Sequence, residues 1–115
     1  MPKMVQIHHL TLKPGTNIEE FETFVVEELS QFVWDEGSSH QVVKYVKGVK
    51  NTQYILIFEL SEAYYNATNT EEKRQKYYDE RNKTYPENPK LREKLRSYTV
   101  NLFGEGTSTH YHALS

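Results

Sequence analysis

Cysteine is absent from this chain of 115 residues, and its absence excludes several kinds of chemistry. Without thiols the protein has no disulfide bonds, no cysteine-based metal site and no thiolate nucleophile. No segment approaches the roughly 20 apolar residues that a membrane-spanning helix needs. The N-terminal segment MPKMVQIHHL also lacks the apolar run of a signal peptide. We therefore expect a cytoplasmic protein with no membrane partner.

The chain also has no large excess of either positive or negative charge, since its formal net charge is only −2. Residues 73–96 hold nine of the fourteen Lys and Arg residues, interleaved with tyrosines, which makes this segment a candidate contact for RNA or an acidic ligand. Six acidic residues fall between Glu71 and Glu93, so a solvated helical face is the stronger interpretation. We expect no nucleic-acid partner. The sequence has no phosphate-binding loop, nucleophile elbow or zinc-binding helix motif.

The most apolar segment is TQYILIFEL, at residues 52–60. Its β-branched and aromatic side chains favour a strand over a helix. Alternation along a strand divides these side chains between two faces. One face carries Tyr54, Leu56, Phe58 and Leu60. The other face carries Ile55, Ile57 and Glu59. Because both faces are apolar over most of their length, the strand needs cover on both sides.

Turn and capping signals divide the rest of the chain. Strand one is predicted at residues 4–12, before the turn Lys13-Pro14-Gly15. Helix one is predicted at residues 18–33 after a cap at Thr16 or Asn17. Strand two, at residues 41–47, forms a hairpin with strand three. The remaining predictions are helices at 62–66, 71–84 and 89–96, capped by Ser61, Thr70 and Asn88, then strand four at 98–103 and a tail at 104–115.

The predicted order is β-α-β-β-α-β, with the second helical unit split. This order is typical of the ferredoxin-like arrangement, an α+β fold in which helices cover one face of a four-stranded antiparallel sheet. We expect a single domain over residues 1–115, with its core at 4–103. The second sheet face stays apolar and uncovered, which is uncommon in a monomer. Face-to-face packing of two sheets about a two-fold axis would cover it, so we expect a homodimer through the sheet face.

Three segments together resemble the dimeric α+β barrel superfamily: VQIHHLTLKPG, the helix that begins EEFETF, and the hairpin into YILIFEL. The resemblance covers residues 4–103 and is of the antibiotic-biosynthesis-monooxygenase or stress-responsive barrel type. It implies two subunits that form a dimeric barrel, with a pocket between the sheet and the helices of each subunit. The superfamily includes cofactor-free oxygenases, polyketide cyclases, haem-degrading enzymes and members with no known activity.

Two departures from the superfamily narrow the expected chemistry. Its cyclase members carry a Pro followed closely by a His before the last helix, whereas residues 85–90 here read YPENPK. Its haem-degrading members pair a His on a helix with an Asn and a Trp, and none of the predicted helices here contains a His. The resemblance therefore implies neither cyclase chemistry nor haem, and we expect no cofactor.

Adjacent histidines on strand one are the first candidates for chemistry. His8 and His9 point to opposite faces, and His8 is predicted to face the helices because it shares a face with Leu10 and Leu12. There it would serve as a catalytic general base, or would orient a phenol or an enol. His9 is a candidate ligand-binding residue. The alternative for each is a partly buried histidine that a backbone group or a tyrosine satisfies.

Tyrosines, one carboxylate and one tryptophan complete the candidate ligand-binding residues. Phenolic hydroxyls around an apolar pocket suit a planar hydrophobic ligand, although aromatic residues on strands are more often core. The candidates are Trp34, Tyr45, Glu59, Tyr85 and Tyr98. The alternative for Glu59 is a pairing with a lysine or a backbone amide near the strand end, and the alternative for Trp34 is that it seals the edge of the core. His110 and His112 have a spacing that can bind a metal, but no third ligand is evident, and we expect no metal site.

Two hypotheses follow from these residues. The first is a small cofactor-independent enzyme, monooxygenase-like or related, that acts on an aromatic or polyketide-like molecule. The second is a non-catalytic homodimer, stress-related or of unknown function, that binds a small ligand. A ligand-sized cavity beside His8 favours the first hypothesis, and an interface filled by Phe and Leu favours the second.

Overall fold

The computed structural model describes residues 4–44, 53–100, 102 and 108–112. Within these residues the chain forms a four-stranded antiparallel sheet and four α-helices, which is an α+β architecture. The strands are β1 (Met4–Thr11), β2 (Ser39–Lys44), β3 (Gln53–Leu60) and β4 (Ser108–His112). Their order across the sheet is β2-β3-β1-β4. No helix in the described part of the chain is both long and apolar enough to cross a membrane.

Three of the four helices begin where a capping residue was predicted. Helix α1 (Ile18–Thr23) follows Asn17, helix α2 (Glu62–Thr68) follows Ser61, and helix α3 (Glu71–Thr84) follows Thr70. Each of these caps accepts a hydrogen bond from a backbone N–H in the first turn, which satisfies a donor that has no partner within the helix. Helix α4 (Glu87–Tyr98) has no side-chain cap, so the predicted role of Asn88 is wrong.

Helix one was predicted as a single helix over residues 18–33, but the structure divides it. After α1 comes one π-helical turn, Phe24–Glu28, and then a 3-10 turn, Leu29–Gln31. The Leu29 N–H donates to the Phe24 carbonyl, five residues back, as a π turn requires. Phe21, Phe24 and Leu29 are all buried, so this wider turn keeps Leu29 on the core side.

The fourth strand is the main correction to the predicted fold. Residues 98–103 were assigned to it, but Tyr98 ends α4 and Thr99 makes only an isolated bridge to Leu12. Leu91, Leu95 and Tyr98 repeat at helical spacing, and that period prevails over the alternation of Tyr98 with Val100. The strand beside β1 comes instead from the predicted tail, where Ser108 pairs with His8.

The predicted division of β1 and β3 into two faces is confirmed. Side chains from the helices form one core cluster with one face of the sheet; its buried members are Leu10, Phe21, Phe24, Leu29, Tyr54, Leu56 and Leu95. We call this the covered face, and His8 lies on it, 4% exposed. The opposite face, called the open face, carries half-buried Val5, Ile7, Val43, Ile55 and Ile57. Cross-strand pairs such as Ile7 with Ile57 place these side chains side by side.

Strand two begins earlier than the predicted 41–47, because Ser39 and His40 already pair with Glu59 and Phe58 of β3. The connection between β2 and β3 lies outside the described residues. The predicted ligand-binding residue Tyr45 lies in that segment.

Candidate functional site

A cavity of about 370 Å³ lies between the covered face of the sheet and the helices. Its sheet wall consists of Gln6, His40, Leu56, Phe58 and Leu60. Its other walls consist of Leu29, Phe32, Trp34, Tyr64, Tyr77, Tyr78, Leu95 and four arginines, Arg74, Arg81, Arg92 and Arg96. The interior is therefore mainly apolar and aromatic, with polar groups at a few positions, as in many small-molecule sites.

Trp34 and His40 form a hydrogen-bonded pair in the cavity wall. The Trp34 Nε1–H donates to His40 Nδ1 at 2.7 Å. Since Nδ1 accepts this bond, the proton of the neutral imidazole is on Nε2. Burial lowers the pKa of His40, which keeps the ring neutral at physiological pH. Within the described residues Nε2 makes no hydrogen bond, so its N–H is a donor that a ligand can use.

Tyrosines on α2 and α3 form the polar part of the helical wall. The hydroxyls of Tyr64 and Tyr78 are 2.5 Å apart, and the Tyr77 hydroxyl donates to the Asp35 carboxylate. Burial raises the pKa of Tyr64, as does the neighbouring Tyr78. Burial also raises the pKa of Tyr77, as does its hydrogen bond to Asp35. These phenols remain protonated at neutral pH, so they serve as hydrogen-bonding groups and not as bases.

The arginines of the cavity differ in their partners. Arg81 binds Asp35 at 2.9 Å and donates to the Val33 carbonyl at 2.7 Å. Arg74 donates to the Thr68 carbonyl at 3.4 Å. The guanidinium of Arg92 lies over the Tyr78 ring, with Cζ 5.0 Å from the ring centroid. Among the described residues that line the cavity there is no carboxylate, so its walls favour an anion over a cation.

His8, the predicted catalytic base, lies beside this cavity without lining it. Its Nε2 is 3.3 Å from Gln6 Oε1, and its ring packs edge-on against Phe58, with centroids 5.1 Å apart. Gln6 and Phe58 both line the cavity, so one layer of side chains separates His8 from it. Burial and the neighbouring His110 lower the pKa of His8. The role of His8 as a base stays a prediction.

Among the predicted ligand-binding residues that the structure describes, Trp34 alone lies in the cavity wall. His9 and Glu59 are exposed and lie on the open face, on the other side of the sheet from the cavity. Tyr85 packs against Arg81, with Cζ of the arginine 4.6 Å from the ring centroid. Tyr98 packs against Phe21 and its hydroxyl donates to Glu20, away from the cavity.

Sequence reasoning missed most of the polar residues that line the cavity. His40 shares the covered face with Val42. A predicted strand two that began at residue 39 would have placed His40 on this face by the same alternation that placed His8 there. Tyr77 and Tyr78 belong to the segment that was predicted to be a solvated helical face, because it has little apolar stripe beyond Tyr77, Tyr78 and Tyr85. No residue of α3 is fully buried, yet these two tyrosines are half-buried and face the cavity.

A comparison with known protein families, with curated proteins and with solved structures finds no match for this chain. Among the described residues no group of three or more His, Asp or Glu side chains is arranged to hold a metal ion.

Proposed function

We propose that this protein is a homodimeric ferredoxin-like barrel that binds a small planar hydrophobic molecule in the cavity of each subunit. The observation that carries the proposal is the cavity itself, about 370 Å³ in volume and lined mainly by aromatic and aliphatic side chains. This volume lies within the usual range for small-molecule sites, roughly 300–1,000 Å³. Flat rings of Phe32, Trp34 and Phe58 favour a flat ligand.

Strand topology supports the ferredoxin-like part of this proposal. Two split βαβ units that interleave give an antiparallel sheet in the order β2-β3-β1-β4, with the helices on one side.

The homodimer is supported by the open face, where β-branched side chains of three strands lie in adjacent register: Val43 pairs with Ile55, and Ile57 with Ile7. Complete burial of an exposed side chain of this kind contributes about 1.5–3 kcal/mol, and these half-buried side chains would gain part of that from a second copy.

A cofactor-independent enzyme is the second candidate, and the Trp34–His40 pair favours it. Nδ1 of His40 is held as an acceptor, so Nε2–H is a fixed, neutral donor in a largely apolar cavity. Such a donor stabilises the negative charge that develops on a carbonyl or phenol oxygen during enolisation or oxygenation. The enzyme would also need a base, for which His8 remains the predicted residue. The simple binding function needs no base, and it is the function we place first.

Fluorescence of Trp34 tests the binding function directly, because it is the only tryptophan in the chain and it lines the cavity. We expect the neutral aromatic probe N-phenylnaphthylamine to quench this emission on binding. Leu95→Phe should weaken that binding, since Leu95 lines the cavity and a larger side chain would fill it. Leu91→Phe is the matched control on the same helix, because Leu91 packs against the core outside the cavity.

Absence of quenching in the wild-type protein would refute the proposed cavity ligand. Equal binding by the Leu95→Phe and wild-type proteins would show that the probe binds outside the cavity, for example on the open face. Oxygen uptake with bound phenols, without added flavin or metal, would support the enzyme candidate. In that case His40→Gln should lower turnover more than binding, because it removes the fixed imidazole N–H.

A further inference from the structure

We infer that the ligand of this cavity is a planar aromatic molecule with one anionic group, and that Arg92 binds that group. The inference rests on the proposed binding function and adds the chemical class of the ligand. It is carried by the partners of Arg92, by the charge of the cavity wall and by the position of a second donor.

Arg92 is the cavity arginine to which the described residues offer neither an ion pair nor a hydrogen bond. Its guanidinium contacts two ring faces, that of Tyr78 at 5.0 Å and that of Phe32 at 6.0 Å from the centroid. No ion pair or hydrogen bond joins it to another group in the described part of the chain. Contacts with aromatic faces orient a guanidinium while they leave its N–H groups available to an acceptor.

The other cavity arginines are engaged differently. Arg81 is bound to Asp35 and to the Val33 carbonyl, so it joins α3 to the segment that follows the 3-10 turn. Arg74 donates to the end of α2, and Arg96 lies 3.7 Å from Glu93 on its own helix. Asp35, which Arg81 binds, is not part of the cavity wall. An anion in the cavity therefore meets guanidinium groups and, among the described residues, no opposing carboxylate.

A second donor lies within reach of the same ligand. The Phe32 ring centroid is 6.3 Å from the His40 ring and 6.0 Å from Arg92 Cζ, so Phe32 is adjacent to both donors. A flat molecule that packs on Phe32 would meet Arg92 at one edge and the His40 N–H at another. This pattern suits an aromatic carboxylate or sulfonate with a further oxygen on the ring.

Two fluorescent probes that differ in one group test the inference. Anilinonaphthalene sulfonate is an aromatic anion, and N-phenylnaphthylamine is its neutral analogue without the sulfonate. We expect Arg92→Gln to weaken binding of the sulfonate on the order of tenfold to a hundredfold, as loss of a hydrogen bond to a charged group does. Binding of the neutral probe should not change. Lys90→Gln removes the same charge from an exposed position on α4 outside the cavity, and it should change neither affinity.

Salt gives a second measurement that needs no variant. Raising the ionic strength should weaken binding of the sulfonate to the wild-type protein and leave binding of the neutral probe unchanged. Equal weakening of both probes by Arg92→Gln would assign Arg92 a packing role and overturn the inference. Unchanged sulfonate binding by that variant would also overturn it, with the proposed binding function intact. If neither probe binds the wild-type protein, the proposed function itself fails, and the inference with it.

Discussion

The two faces of one sheet differ in a way that is unusual for a monomer. The covered face, under the helices, carries His8, His40 and Gln6 among its leucines and aromatic residues. The open face carries the β-branched side chains Ile55 and Ile57, with Val5, Ile7 and Val43 beside them. In most monomers the aliphatic side chains are covered and the polar ones are in water.

From this difference we propose that the two faces serve different purposes, ligand binding on the covered face and association on the open face. Buried polar groups cost free energy unless they have partners, and on the covered face Trp34 donates to His40 while His8 lies 3.3 Å from Gln6. Aliphatic groups on an open face favour association with a complementary surface. The four predictions that follow test this separation, from the largest expected effect to the smallest.

Truncation of the core under the covered face should unfold the subunit. Phe21 is fully buried and packs edge-on against Tyr54 and Tyr98, with centroids 5.0 and 5.5 Å away. Phe21→Ala should lower the free energy of unfolding by about 3–5 kcal/mol, since it leaves a cavity in the core. Denaturant titration measures the loss. Val26→Ala, at an exposed position of the same helical segment, is the control and should change little.

A charge on the open face should separate the subunits without unfolding them. Ile57→Asp removes a half-buried apolar side chain from the proposed interface, where its remaining burial contributes part of the about 1.5–3 kcal/mol for such a side chain, and it adds a carboxylate that association would bury. Sedimentation should then show a shift from dimer to monomer at micromolar concentration. Val26→Asp introduces the same charge at an exposed helical position and should leave the dimer intact. A wild-type protein that sediments as a monomer would refute the interface.

Asn88 tests how firmly the helices are held over the covered face. Its amide accepts from the Val33 N–H at 3.0 Å and donates to the Val33 carbonyl at 2.9 Å. Asn88→Ala removes both hydrogen bonds from a buried position, and we expect a loss of about 1–3 kcal/mol in unfolding free energy. Asn82→Ala, on the neighbouring helix, is a control without these two bonds. Denaturation midpoints that match for both variants would contradict the role of Asn88.

The smallest expected effect is on the pH dependence of stability, through Glu22 at the edge of the covered face. The Glu22 carboxylate accepts from Lys44 at 2.6 Å and from Tyr54 at 2.5 Å, and these bonds lower its pKa below the ordinary value of 4.5. Because the folded pKa is the lower one, the carboxylate stabilises the fold above about pH 4.5, and this contribution is lost as the pH falls through the folded pKa. Glu22→Gln should therefore make stability less dependent on pH in acid. Glu19→Gln, at an exposed position of the same helix, should leave the pH dependence of stability unchanged.

The local features of the fold were predictable from the sequence. Alternation placed His8 and Leu10 on the covered face, and short-range chemistry identified Asn17, Ser61 and Thr70 as caps. These signals depend on neighbours in the sequence. The fourth strand was misplaced because residues 91–98 also fit a helical period, and only tertiary pairing decides which segment joins β1.

The site was less predictable than the fold, because its groups meet only through tertiary packing. Arg92 and Tyr78 lie on separate helices whose charged surfaces, taken alone, are typical of solvated helices. Trp34 was identified, but its partner His40 precedes the predicted start of strand two. The predicted candidates His9 and Glu59 were chosen by residue type, and alternation alone did not tell whether a pocket lay on their side of the sheet.

The single π turn at Phe24–Glu28 has a consequence for how this protein can diverge. The extra residue is absorbed within the turn, because Phe24 and Leu29 share a face at a spacing of five instead of four. Deletion of one residue there would restore ordinary helical spacing and leave Leu29 and Phe32 directed at the cavity. Chains of this type that lack one residue in this turn should therefore keep the same cavity wall, whereas a deletion outside the turn would rotate that wall by roughly 100° around the helix axis.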